Sequence, residues 1–291
     1  MSGAAQAEFA EARLAWQKFP SMQPLLRQRP LLDGCSHAYL DFGVNHASRI
    51  QALYRPNIPI AGLDYNHRFK AVPLPQGKFS VWFKDVPRSD ICTIGFEPNQ
   101  KWWTNKTGRN GNPRGLISLE HQYQAAGRRL MLFPAAISSI NSVARFWNDC
   151  STVSTCWGSS LMRLRPELQE AAELVPTVSL DWFLRAHVLA AVRVAKRPPK
   201  VYAKCDIEGA EFDALPPTIR SGTLCQSVDE LQLERHIKAL RVAREKFNLS
   251  SRAQLEQRNE LGALLRQLRR SAPGGSKCRT RVDELTRRDM T

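Results

Sequence analysis

Apolar positions along this chain fall into two rhythms. Short apolar runs bounded by turn residues, at 38–42, 91–96, 130–133 and 201–205, predict buried strands, and alternation over 227–236 predicts a further strand of period two. Spaced apolar residues predict helices between them. These fall at 4–19, with Phe9, Leu14 and Trp16, then at 48–54, 119–127, 180–194 and 210–215, and near the C-terminus, where Leu255, Leu261, Leu264, Leu265 and Leu268 have helical spacing. A short edge strand over 143–147 and a brief strand at 176–178 complete the reading, with Ser179 or Asp181 as the N-cap of the helix that follows. Residues 55–90 mix prolines and polar residues without a sustained period, so they read as an insertion outside the sheet. Strands alternating with helices predict an α/β fold, a mostly parallel Rossmann-like sheet with helices on both faces.

The strand ends carry the polar chemistry. The first strand runs into Asp41-Phe42-Gly43-Val44-Asn45, the second into Glu97-Pro98-Asn99, and a later one into Asp206-Ile207-Glu208-Gly209. Ligands of open α/β sheets bind at the carboxyl ends of the strands, so these acids face the expected site. Each also has a plainer reading. Asp206 and Glu208 suit an ordinary helix start through the helix dipole, and Glu97 sits beside turn-forming Pro98 and Asn99. The turn at Gly43 has one glycine where a dinucleotide fingerprint needs three. As a carboxylate after the second strand, Glu97 can accept hydrogen bonds from both hydroxyls of a ribose. The Trp102-Trp103 pair reads as half-buried core, and His236 as a polar residue at a strand end.

Composition narrows the setting. A net charge of +15 draws the protein toward anionic partners, and +7 of it lies in residues 241–291, thirteen Lys/Arg against six Asp/Glu. The seven cysteines are scattered without a Cys-x-x-Cys pair, so reduced thiols in a cytoplasmic protein are expected, and no metal site is indicated by His/Cys spacing. No apolar run is long enough to span a membrane. The N-terminal residues, with Glu8 and Glu11 and no apolar core, do not read as a secretory signal.

Taken in order, Leu40-Asp41-Phe42-Gly43-Val44-Asn45, Gly95-Phe96-Glu97-Pro98-Asn99, Ala135-Ala136-Ile137-Ser138, Gly158-Ser159-Ser160-Leu161, Val178-Ser179-Leu180-Asp181, Lys204-Cys205-Asp206-Ile207-Glu208-Gly209-Ala210-Glu211 and Asp229-Glu230-Leu231-Gln232-Leu233-Glu234 resemble the FkbM-type methyltransferases. The resemblance spans about 38–236. It implies a class I methyltransferase fold and S-adenosyl-L-methionine as cofactor, with O-methylation of a small hydroxylated or glycan-like acceptor. By the same resemblance Asp41, Gly43 and Asn45 line the cofactor's amino-acid moiety and Glu97 holds its ribose. Asp206, Glu208 and Gly209 then lie beside the methyl group, and Asp206, Glu208 or His236 serves as the base. The expected organisation is an N-terminal helical extension (1–32), a methyltransferase-like domain (33–240) carrying the insertion, and a basic, mostly helical tail (241–291). Three departures stand out: His46 follows the loop Asn45, the span from Asp41 to Glu97 is long, and no closing antiparallel strand is evident after His236 unless 278–285 supplies a short one.

The alternative is a catalytically weak or inactive methyltransferase-like binding protein whose basic tail docks on an anionic surface. Nucleic acid is not the expected partner.

Overall fold

The computed structural model describes residues 3–27, 30–45, 47–54, 60–63, 69–72, 81–103, 115–148, 159–161, 172–237, 251–270 and 278–284, and every structural statement below refers to them. Helix α1 (Gly3–Ala15) and a 3-10 segment (Pro20–Leu26) lead into strand β1 (His37–Phe42) and helix α2 (Ser48–Tyr54). The hairpin of β2 (Ile60–Leu63) with β3 (Phe69–Val72) is a separate antiparallel pair. Strand β4 (Ile91–Phe96), helix α3 (Leu116–Ala125) and strand β5 (Arg129–Phe133) follow. A small sheet then gathers β6 (Ala136–Ser138), β7 (Ser142–Phe146) and β8 (Glu173–Ser179). Helix α4 (Leu180–Phe183) continues through a π-helical stretch (Leu184–Leu189) into α5 (Ala190–Val194), with the Ser179 side chain accepting from the Trp182 N–H at its start. The chain ends with β9 (Lys200–Cys205), α6 (Glu211–Arg220), α7 (Thr223–Ser227), β10 (Glu230–Leu233), α8 (Ser251–Arg270) and β11 (Arg281–Glu284).

The main sheet has six strands in the order β11-β10-β9-β1-β4-β5. Every neighbouring pair is parallel. The fold is therefore α/β and Rossmann-like. From β1 the chain builds outward to β4 and β5, then crosses to the other side of β1 to lay down β9, β10 and β11. That reversal leaves a crevice between the carboxyl ends of β1 and β9, where such sheets bind ligands. The closing strand is β11, and it runs parallel to β10 rather than antiparallel.

Side chains alternate between the two faces, as the pleat requires. Ala38, Leu40 and Phe42 of β1, with Ile94, Phe96, Val201 and Ala203, pack against Trp182, Phe183, Leu215 and Leu261. Tyr39, Leu130 and Leu132 point the other way, onto Ile50, Leu53, Leu116 and Tyr123 of α2 and α3 and onto Trp82 and Phe83. Helices thus cover both faces. Trp16 and Met22 near the N-terminus and Leu261, Leu265 and Leu268 of α8 share the first of these cores, so the N-terminal extension and the tail helix both pack on the sheet. The leucines of α8 stand at i, i+4 and i+7, and burying each stabilises by about 1.5–3 kcal/mol. The tail helix is thus part of the domain.

Cys35 pairs with Cys92 and Cys225 with Cys278 as disulfides, against the expectation of reduced thiols. Cys205 is buried and free. Cys150 and Cys156 lie outside the described residues. Among the described residues, no helix is long and apolar enough to cross a membrane.

Candidate functional site

The crevice is built first from backbone. Gly43 leaves β1 with φ 90°, and its N–H donates to the Phe96 carbonyl at 3.1 Å. Asp206 leaves β9 beside it, its N–H donating to the Phe42 carbonyl at 3.0 Å. The two exits touch. Only a residue without a Cβ and tolerant of positive φ fits at Gly43, so the single glycine of the turn serves close approach of two strand ends rather than a pyrophosphate cradle. Asn45 and Glu208 also adopt left-handed backbone, at φ 54° and 51°.

A cleft of about 550 Å3, its open mouth included, lies over these exits and is lined by Gly43, Asn45, Glu97, Asp206 and Glu208 on its polar side. Its other walls are Phe96, Trp102, Ile137, Phe146 and Leu161. Trp102, Phe146 and Leu161 come from segments outside the main strands, and no sequence pattern marked them as site residues.

Glu97 follows β4 directly and is buried. Its Oε2 accepts the Asn45 N–H at 2.6 Å and its Oε1 accepts the Asn99 N–H at 2.8 Å. The same residue therefore ties the glycine turn to the end of β4. Burial pushes its pKa up to about 7, although the two amides work against that rise.

Asp41 does not line the cleft. Its side chain is fully buried, with Oδ2 accepting from the Tyr39 hydroxyl at 3.3 Å and Oδ1 lying 3.5 Å from Lys204 Nζ. Direct contact with a cofactor, expected from the sequence, is replaced by a role beneath the floor. Asp41 and Lys204 are register partners on adjacent strands. The Lys204 ammonium bonds the Gly43 carbonyl at 2.9 Å and Asp206 Oδ2 at 3.1 Å. Burial opposes its charge, but Asp206 and Asp41 more than offset this and raise its pKa. Burial likewise works against ionisation of Asp206, and Lys204, then His236, reverse it, so its pKa is lowered. Asp41 is raised by burial. Lys204 is the site residue that sequence reasoning quoted without giving it a task. A lysine inside an otherwise apolar strand was the available signal.

Gly209 also stays out of the cleft wall. With φ 100°, it donates its N–H to Glu211 Oε2 at 2.8 Å and so shapes the turn into α6. The expected cofactor contact is not offered by this backbone.

His236 stands behind Asp206 and Glu208 rather than in the cleft lining. Its N–H donates to Glu211 Oε1 at 2.6 Å, and its Nδ1 lies 3.3 Å from the same oxygen. Nε2 faces Asp206 Oδ1 and Glu208 Oε2, each at 3.5 Å, and Glu234 Oε1 at 3.6 Å. Burial opposes the charged ring, but the bond to Glu211 and the charge of Glu208 push its pKa up to about 10. Burial lifts Glu208 to about 8 and raises Glu234, with His236 working against the rise in both.

Asp206, Glu234 and His236 each offer one ligand atom, and these atoms lie within 4.8 Å of one another. The sequence search for close His/Cys spacing passed over this grouping, because one member comes from β9 and two follow β10. His46 lies outside the described residues. The chain matches no family model, no curated protein and no solved structure in the comparisons made.

Proposed function

We propose that this protein is an S-adenosyl-L-methionine-dependent methyltransferase acting on an oxygen of a small hydroxylated or glycan-like acceptor. The observation that carries the reading is the convergence of Gly43, Asn45, Glu97, Asp206 and Glu208 on one cleft at the sheet's crossover point. The chemical mix suits the cofactor. Each Glu97 oxygen accepts one backbone N–H and keeps acceptor capacity for the adjacent hydroxyls of a ribose. Trp102, Phe146, Ile137 and Leu161 offer apolar walls for a purine ring. Ionised Asp206 attracts an ammonium group.

When bound, the cofactor supplies a methyl group on a cationic sulfur; its transfer breaks a C–S bond, forms a C–O bond and leaves a neutral thioether. The chain's part is positioning and proton removal. Asp206 has one oxygen committed to Lys204, whereas Glu208 lines the cleft with no lysine on it and only His236 Nε2 at 3.5 Å, so Glu208 is the residue we assign to take the acceptor's hydroxyl proton. Lys204 holds Asp206 and the Gly43 carbonyl in register, which keeps the cleft floor rigid.

Calorimetry on the full chain, with chelator present, tests the reading. S-adenosyl-L-methionine and its demethylated product are both expected to bind at one site. Absence of heat from both would remove the proposal.

A further inference from the structure

The methyl-transfer reading gives no task to Glu234, and it leaves unexplained why His236 turns Nε2 toward three carboxylates. The distances are informative. At 3.5, 3.5 and 3.6 Å they exceed the N–H···O separation of about 2.7–3.2 Å typical of hydrogen bonds. Those to Asp206 and Glu234, 3.5 and 3.6 Å, match the edge of a coordination polyhedron, since ligand atoms each about 2.1 Å from a tetrahedral ion stand about 3.4 Å apart.

The ring is held by a group outside this ligand set. Glu211, wholly buried, fixes Nδ1 and the His236 N–H through Oε1, and is itself held by the Gly209 N–H through Oε2. A carboxylate on the far nitrogen of an imidazole is the usual outer partner of a metal-bound histidine. Asp206 divides its oxygens in the same sense: Oδ2 goes to Lys204 and Oδ1 faces His236.

We propose that Asp206, Glu234 and His236 bind one divalent transition cation of the Mn2+ or Zn2+ type. Carboxylates alone would suit Mg2+ or Ca2+, and the imidazole shifts the preference toward the transition series. Three protein ligands leave a position for an acceptor oxygen, with Glu208 beside it on the cleft side. A cation there lowers the pKa of a bound hydroxyl, so its proton leaves more readily to Glu208. This catalytic use rests on the methyl-transfer reading. Binding of the cation does not.

The test is titration of chelator-treated full-length protein with Mn2+, followed by electron paramagnetic resonance, then displacement by Zn2+. One saturable site is expected. His236→Gln and Glu234→Gln should each weaken it at least tenfold, and Glu211→Gln, which disturbs only the outer partner, by about 10–100-fold. Glu256→Gln on the exposed side of α8 should bind as wild type. If the wild-type chain takes up neither Mn2+ nor Zn2+ at a saturable site, the proposal is overturned, whatever the folding of the variants. Undiminished binding by folded His236→Gln and Glu234→Gln proteins overturns it equally. Because the calorimetry above is run with chelator, failure of the cation site and failure of the cofactor reading are separate results.

Discussion

A Cβ placed on Gly43 would stand 1.9 Å from the carbonyl oxygen of Asp206. The atom it would strike is backbone, so no side-chain rotation can make room, and φ 90° at the same residue adds strain for any L side chain. Gly43→Ala should therefore force β1 and β9 apart at their carboxyl ends. We expect a loss of at least about 2 kcal/mol in chemical denaturation together with loss of cofactor binding. Unchanged stability would mean that the strand ends are not in contact.

Glu97 supplies the pH prediction. Its carboxylate form is needed to accept ribose hydroxyls, so cofactor affinity should rise as pH increases through about 7. The stability effect has the opposite sign. With the folded pKa raised from 4.5, Glu97's contribution is fully present below 4.5 and is lost as pH rises through about 7. Glu97→Gln should flatten both trends and weaken binding by roughly 1–3 kcal/mol at pH 8. Calorimetry across pH 5.5–8.5 checks this, and a pH-independent wild-type affinity would contradict it.

Lys204 neutralises fully buried Asp41 and half-buried Asp206, which also faces His236. Lys204→Met leaves Asp41 buried without its partner, and breaking a buried pair costs about 3–5 kcal/mol. The double variant Lys204→Met with Asp41→Asn should recover part of that loss. Simple additivity in the double-mutant cycle would argue that the two side chains do not interact.

The Cys225–Cys278 disulfide closes a separation of 53 residues and anchors the approach to β11. Thr280 next to it donates to the Leu224 and Val228 carbonyls, and Glu284 pairs with Arg235, adjacent to His236. A cross-link of this span stabilises by about 4 kcal/mol in the chain-entropy account. Reduction, or Cys225→Ser, should lower the melting temperature and loosen the closing strand. Thiol labelling of native protein should find Cys35, Cys92, Cys225 and Cys278 blocked until a reductant is added. Free reaction at Cys225 or Cys278 would refute the pairing.

Much of the sheet was legible beforehand because burial on both faces demands continuous apolar runs, as at 91–96 and 201–205, and breakers mark their ends. Where local rules and packing disagreed, packing won. Pro216 and Pro217 argue for ending a helix at Leu215, yet α6 continues to Arg220 because Leu215, Pro216 and Ile219 are buried against the core. In the basic tail the two agreed: leucines at helical spacing marked a helix, and Leu261, Leu265 and Leu268 pack it on the domain.

The sequence by itself determined the alternation of strands and helices, the acids at the strand ends and the one glycine at the turn. These are local properties, fixed by periodicity and by what each residue permits its own backbone. Only the tertiary structure decided which acids share a cleft. Asp41 sank beneath the floor while Glu97, Asp206 and Glu208 reached its surface, and Glu234 and His236 met Asp206 across two strands. Depth and neighbourhood depend on strand order and register, and those are set by the packing of the whole sheet, so no single stretch of chain contains them.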